Sequence, residues 1–199
     1  MTLPTKPDFD HEKIKQAVKL MFEAIGEDTN RPGLAETPDR VARAFEEIFE
    51  GCKYTNEEIA EYNKVLFDNP ATGIVVEKIE GPGLNGMCEH HLLPMYDMTV
   101  YIGYIPKGKV IGLSKLARIA ELCAKRPSLQ EKIGMDIAEC VQLATGAEDV
   151  AVVITAKHGC IQFRGAKKDV ITKTAELTGK FLSGSKLRAE FYQLIQGQL

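Results

Sequence analysis

Two short runs constrain this chain more than any other feature: Cys88-Glu89-His90-His91 and, seventy residues further on, His158-Gly159-Cys160. They hold three of the four histidines and two of the five cysteines. Thiolate and imidazole are the ligands zinc prefers, and C-x-x-H is a spacing that one tight turn wraps around an ion. The five Cys and His side chains in the two runs exceed what one zinc takes, which leaves imidazoles over for proton transfer. A fold that serves both runs with one metal has to bring distant segments together, and the surplus of imidazoles points to an enzyme. A closed structural zinc would explain the ligands but leave the spare histidines without a use.

The remaining cysteines, Cys52, Cys123 and Cys140, read as small core residues. An odd cysteine count in a chain whose first residues, MTLPTKPDFDHEK, lack the apolar core of an export signal argues for reduced thiols and a cytoplasmic setting. At 199 residues, with 44% hydrophobic and 27% charged side chains, the chain has the composition of a soluble domain with an ample core. No apolar stretch approaches the roughly 18–20 residues of a membrane span. The net charge of −3 gives no support to nucleic-acid binding, so a polyanionic small molecule would have to be met by a local basic cluster.

The first third is helical in pattern. Ile14, Val18, Met21, Phe22 and Ile25 form one stripe between Asp10 and Gly26. A second helix is expected from Thr37-Pro38, with the hydroxyl as N-cap, to a stop at Gly51, and a short third one over Asn56 to Asn63. The period then changes. Ile74 to Ile79 and Met98 to Ile105 read as strands, the latter ended by a turn at Pro106-Lys107-Gly108-Lys109. Helices over Ser114–Lys125 and Ser128–Thr145, a strand over Val150–Ala156 and a closing helix over Lys186–Ile195 complete an α+β domain.

If the strand from Val150 continues, alternation places His158, Cys160, Gln162 and Arg164 on one face. Around Cys88 an extended chain would oppose His91 to Cys88, so the pair can chelate only if the backbone turns, and His90 is then left unligated beside the metal. Ser114, read as an N-cap, sets free N–H groups beside Lys115 and Arg118, a good phosphate site although an ordinary surface helix offers the same pattern. Ser128-Leu129-Gln130-Glu131 matches a capping box, which by spacing alone makes Glu131 structural.

The residues just named resemble the motifs of the GTP cyclohydrolase I family, whose members convert GTP to dihydroneopterin triphosphate and formate. Cys88-Glu89-His90-His91-Leu92-Leu93-Pro94 is similar to the family's CEHHLLP signature, Tyr104-Ile105-Pro106 to its YIP turn, and Ile111 to Arg118 to its IGLSKLAR run. Arg126 to Glu131 resembles RPQVQE, His158-x-Cys160 with Arg164-Gly165 resembles H-x-C and RG, and Glu36 to Ala42 matches an N-terminal helical motif. The likeness runs from about residue 10 to the end, with the motifs in order.

The resemblance implies Cys88, His91 and Cys160 as ligands of Zn2+, and His90 and His158 as an unligated acid–base pair. It places Gln130 and Glu131 among the substrate-binding residues, with Glu131 on the N–H edge of guanine, against the capping-box reading. Ser114, Lys115, Arg118 and Arg164 would take the triphosphate of GTP. It implies a tunnelling fold: an antiparallel sheet with helices on one face, assembling into a barrel. A helical segment over residues 1–65 would precede a catalytic domain over 66–199. The assembly implied is a homo-oligomer, a decamer of two pentameric rings, with active sites at subunit boundaries. Zinc with an open position makes water a nucleophile near neutral pH, and His158 would protonate the base as C8 is hydrated. Ring opening, release of formate, rearrangement of the ribose and closure of the pterin would follow, with His90 serving later proton transfers.

The chain departs from the family pattern in places. Gly86-Met87 precedes Cys88 where a serine or threonine is frequent, Asp97 stands where glycine is common, and Ser128 replaces a glutamine. The segment Met95 to Ile102 is one residue longer than usual, and the stretch after Arg164 one shorter. A related enzyme with a three-histidine zinc site would need histidines this chain lacks. A non-catalytic ring protein would need Cys88, His91 and Cys160 but not His90, His158 and Glu131 as well.

Overall fold

Three helices open the chain: α1 (His11–Ala24), α2 (Thr37–Ile48) and α3 (Asn56–Asn63), with a 3-10 turn over Glu50–Lys53 before α3. The computed structural model describes residues 5–196, so the outer ends of both expected segments and the first four residues of the N-terminal stretch lie outside the described residues. Asp10 caps α1 by accepting from Lys13 N, and Thr55 and Glu58 form a complete capping box on α3. The start of α2 differs from expectation: Glu36 is the N-cap and Thr37 is already helical, with Pro38 in the first turn, where its missing N–H costs nothing. Gly51 is also not a simple stop. A Cβ there would lie 2.0 Å from the Leu122 carbonyl oxygen, so glycine is required for the turn to pack against the end of the helix that carries Leu122.

Eight strands follow: β1 (Leu66–Asp68), β2 (Val75–Glu80), β3 (Gly86–Cys88), β4 (Pro94–Tyr104), β5 (Lys109–Ile111), β6 (Pro127–Ser128), β7 (Val150–His158) and β8 (Ile171–Leu177). Interleaved with them are α4 (Leu113–Ala124), α5 (Gln130–Thr145), the single turn α6 (Gly159–Gln162), α7 (Gly179–Ser183) and α8 (Ser185–Ile195). The main sheet runs β6-β3-β4-β7-β8, with β2 also paired to β4, while β1 and β5 form a separate ribbon. Every pairing is antiparallel except the short parallel contact of β3 with β6. The fold is α+β.

Strand alternation divides the apolar residues between two cores. Val100, Ile102 and Tyr104 of β4 and Val150, Val152 and Ile154 of β7 meet α4 and α5 in the larger one. Their alternates Tyr101, Ala151 and Val153 meet Phe181, Phe191 and Ile195 of α7 and α8 in the smaller. Helices therefore cover both faces of the sheet, which corrects the expectation of one. The physical reason is that β4 and β7 are apolar at nearly every position, so each face needs a cover. Gly103 belongs to this arrangement, since a Cβ there would fall 2.6 Å from the Phe191 ring.

The extra residue in the Met95–Ile102 segment is absorbed as a β-bulge. Register against β7 shifts between Tyr96 and Thr99, and Asp97 takes a positive φ of 49°. Arg126, part of a site-like motif, is spent on structure. Its guanidinium donates to Gly51 O at 3.0 Å, Tyr54 O at 2.8 Å, Asn56 Oδ1 at 2.7 Å and Asp136 at 3.2 Å, tying the N-terminal helices to α5. Among the described residues, no helix is long and apolar enough to cross a membrane.

Candidate metal centre and active site

The turn required at Cys88 is present. Leu92 N donates to Cys88 O at 2.9 Å, Cys88 N donates to Leu93 O at 3.0 Å, and Leu92 has a positive φ of 50°. This reversal folds His91 back over Cys88, which is itself 5% exposed at the end of β3. The second run arrives on β7, where pairing of Met95 with His158 brings it alongside the start of β4. There the expected continuation as a strand fails. After His158 the backbone enters α6, so Cys160 and Arg164 do not share a strand face. Cys160 lies in that turn, and Arg164, just beyond its end, donates through Nη1 to the Cys160 carbonyl at 3.5 Å. Gly159 permits the change, because a Cβ there would lie 2.9 Å from the Phe163 ring and 3.2 Å from Pro94 O.

Despite that local error, the two runs converge. One ligand atom each from Cys88, His91 and Cys160 lies within 4.8 Å of the others, the arrangement three metal ligands need. Burial, and then the neighbouring Cys88 thiol, push the Cys160 thiol above its ordinary value. A cation would reverse that balance by stabilising both thiolates. Arg164 Nη1 donates to His91 Nε2 at 3.1 Å, so a cation taken up by that nitrogen would release the guanidinium. His90 is not one of the group: its side chain is 63% exposed, its ring centre stands 6.3 Å from that of His91, and Glu89 lies 3.9 Å from its Nε2.

His158 is held by Gln130. The glutamine is 1% exposed, and its Nε2 donates among Ile154 O, Thr172 O and Thr174 Oγ1 at 3.0–3.2 Å. Two of those three partners are carbonyls that can only accept, which fixes the amide orientation and leaves Oε1 facing His158 Nε2 at 2.9 Å. His158 therefore carries its proton on Nε2 when neutral, and Nδ1 is the nitrogen left for chemistry. Burial lowers the His158 pKa from the usual imidazole value, opposed by the charge of Glu131. Gln130, expected among the substrate contacts, has its amide committed within the protein. Glu131 is exposed in the first turn of α5. The capping box is not formed: Leu129 is the N-cap without a side-chain bond, and Ser128 sits in β6. Pairing of Ser128 with Cys88 pulls that serine into the sheet and away from the helix end.

The basic segment on α4 also starts earlier than expected. Gly112 is the N-cap and Ser114 lies inside the first turn, with no side-chain capping bond. Lys115 and Arg118 both meet Tyr62 of α3, a residue the sequence gave no reason to single out, since the helix it ends has a thin apolar pattern. Among the described residues, neither Lys115 nor Arg118 contacts the Cys/His group in a hydrogen bond or ring contact; both are engaged at Tyr62. It is the C-terminal end of α4, at Ala124, that approaches β3, and Lys115 stands about 14 Å further along the axis at ~1.5 Å per residue. Of the cysteines read as core, Cys123 and Cys140 are buried with sulfurs 3.8 Å apart, whereas Cys52 is exposed because it sits on the surface 3-10 turn.

Comparison with known proteins gives consistent results. The GTP cyclohydrolase I family profile matches residues 14–196. A Clostridium beijerinckii protein named GTP cyclohydrolase 1 is 44% identical over 189 residues, covering 91% of this chain and 94% of its own. A Clostridium botulinum protein of the same name is 47% identical over 180 residues, 86% of this chain and 90% of its own. Among solved structures, the apo form of the archaeosine synthase QueF-Like aligns with 55% of this chain and 96% of its own at a TM-score of 0.42 and 18% identity, too partial a likeness to bear on the fold.

Proposed function

The chain belongs to the GTP cyclohydrolase I family and is an enzyme of that kind; from that premise we propose that its chemistry is centred on Cys88, His91 and Cys160 with zinc held between them. The observation that carries this reading is the convergence of two thiols and an imidazole from separate elements within 4.8 Å. The donor set suits zinc, and three ligands leave the fourth position to water or substrate, as catalytic zinc sites do. Zinc bound there would supply Lewis acidity that makes water a nucleophile near neutral pH.

The reaction we assign is conversion of GTP and water to 7,8-dihydroneopterin triphosphate and formate, through hydration at C8, ring opening, deformylation and ring closure. His158 is the acid. With Nε2 held by Gln130, proton transfer runs through Nδ1; burial disfavours the imidazolium, and the charge of Glu131, joined by that of a polyanionic substrate, opposes the burial. Gln130 serves this step by fixing the ring instead of presenting its amide to the substrate. His90, exposed beside the metal ligands, serves later proton transfers. Glu131 takes the N–H edge of guanine, for which an exposed carboxylate next to His158 is suited. Arg164, next to His91, and Ser114, Lys115 and Arg118 take the triphosphate.

The distance along α4 between Lys115 and the strand that carries Cys88 favours a site completed by another copy of the chain. We therefore infer a ring-shaped homo-oligomer with shared active sites, a decamer in the family pattern, built on the tunnelling fold and acting in the cytoplasm. We assign residues 1–65 to its helical segment and 66–199 to its catalytic domain, of which residues 5–196 are described. The test of the metal assignment is spectroscopic. Cobalt loaded in place of zinc should give thiolate charge-transfer bands that disappear in Cys160→Ser. Bands unchanged in that variant would place the ion elsewhere.

A further inference from the structure

Lys115 and Arg118 share one partner, and it carries no charge. Arg118 Nη1 donates to the Tyr62 hydroxyl at 3.2 Å, and Lys115 Nζ stands 5.5 Å from the centre of the same ring. Among the described residues neither cation has a carboxylate within ion-pair distance. The two carboxylates that line the same recess as Arg118 and Tyr62 are Glu50 and Glu121, and both are drawn off by Lys125, at 3.0 Å and 2.9 Å. The two cations lie three residues apart on one helix, where like charges repel and long side chains roam. A carboxylate between them would order them but cancel the charge an anion needs. A phenol orders both, through its oxygen for one and its ring face for the other, and leaves the positive charge intact.

We propose that Tyr62 is the positioning residue of the phosphate subsite, holding Lys115 and Arg118 ready for a triphosphate. This rests on the assignment of those two cations to the triphosphate made above. Tyr62 touches neither guanine nor the metal in this scheme; it acts through the cations, so its removal should alter phosphate affinity and leave base recognition alone. It also gives the N-terminal helical segment a part in substrate binding, since Tyr62 is the only member of the trio outside α4.

The test uses the zinc-loaded, assembled full-length enzyme and inorganic tripolyphosphate, followed by calorimetry and by competition against GTP turnover. Tyr62→Leu should weaken tripolyphosphate about threefold to tenfold, in keeping with two modest orienting contacts. The KM for GTP should rise by a similar factor while kcat changes little, and inhibition by guanosine should stay as it was. Tyr62→Phe keeps the ring under Lys115 and releases Arg118 alone, so it should show a smaller share of the same loss without any cost to folding. Unchanged tripolyphosphate affinity in both variants would overturn the proposal, as would equal weakening of guanosine and tripolyphosphate. Lys115→Ala and Arg118→Ala separate the two levels. If they lose tripolyphosphate affinity and the Tyr62 variants do not, the role of Tyr62 alone is wrong; if they lose none, the triphosphate assignment falls and the role of Tyr62 with it.

Discussion

Glu77 offers a test of the packing that supports the site. It lies on β2 between Val75 and Ile79, opposite Ile102, on the face that meets the larger core. No cation partners it among the described residues, and burial alone pushes its carboxyl from 4.5 up to about 7. The sign follows from linkage. Below about 4.5 the carboxyl is protonated in both folded and unfolded chains and costs nothing. As pH rises toward about 7 the folded state keeps a proton the unfolded chain gives up, so stability falls; above about 7 the loss is complete. The displacement corresponds to about 3 kcal/mol if taken in full, and the solvent contact of a half-buried group reduces it to on the order of 1–2 kcal/mol. Glu77→Gln removes the ionisation but keeps the shape. We expect the variant to gain that amount over the parent at pH 8 relative to pH 5, measured by urea unfolding at one fixed protomer concentration. Comparing the two pH values cancels whatever the amide itself costs. A difference between variant and parent that is the same at both would refute the burial argument, and one that shrinks as pH rises would reverse its sign.

Other expectations concern the site directly. His158→Ala and His90→Ala should keep their metal and lose about 10²–10⁴-fold in turnover, as removal of acid–base help does; metal loss in either, read by elemental analysis, would show that a ligand has been taken for an acid. Glu131→Gln should raise the inhibition constant of guanosine, because an NH₂ group replaces a carboxylate oxygen, with its unfolding midpoint little changed. Loss of stability with unaltered kinetics would restore a structural role for Glu131. Dissociated and remixed Cys88→Ser and Arg118→Ala chains should regain part of the activity if the two residues complete one site from different copies; no recovery in well-formed mixed oligomers would place the whole site within one chain.

What could be read from the chain before its fold was known divides along physical lines. The reversal at Cys88 was legible because two ligands three residues apart can meet only over a turn, and Leu92 at positive φ now closes it. The helix over 11–24 was legible from its apolar spacing, whereas the one over 56–63 is thin in apolar residues and is secured by the capping box of Thr55 and Glu58. The continuation of β7 through Arg164 was misread because alternation carries no signal for where a strand stops; the close approach of Gly159 to Pro94 and Phe163 decides that, and it is tertiary. The same holds for the capping box at Ser128, which β3 captures, and for the second helical face of the sheet, which depends on where α8 returns. The strands β1, β3 and β6 are too short, and β8 too polar, for periodicity to mark them. Gln130 looked like one more polar residue of a motif, and only its burial reveals that it sets the tautomer of His158.

The central claim is that the Cys88, His91 and Cys160 group carries the family's reaction through a bound zinc. The most direct measurement is incubation of zinc-loaded protein with GTP while formate and pterin-like absorbance are followed together with metal content. We expect one zinc per chain, formate and pterin product in equal amounts, and loss of both metal and product in Cys88→Ser and Cys160→Ser. Product formed at the parent rate by a Cys160→Ser protein, or by parent protein stripped of zinc, would contradict it.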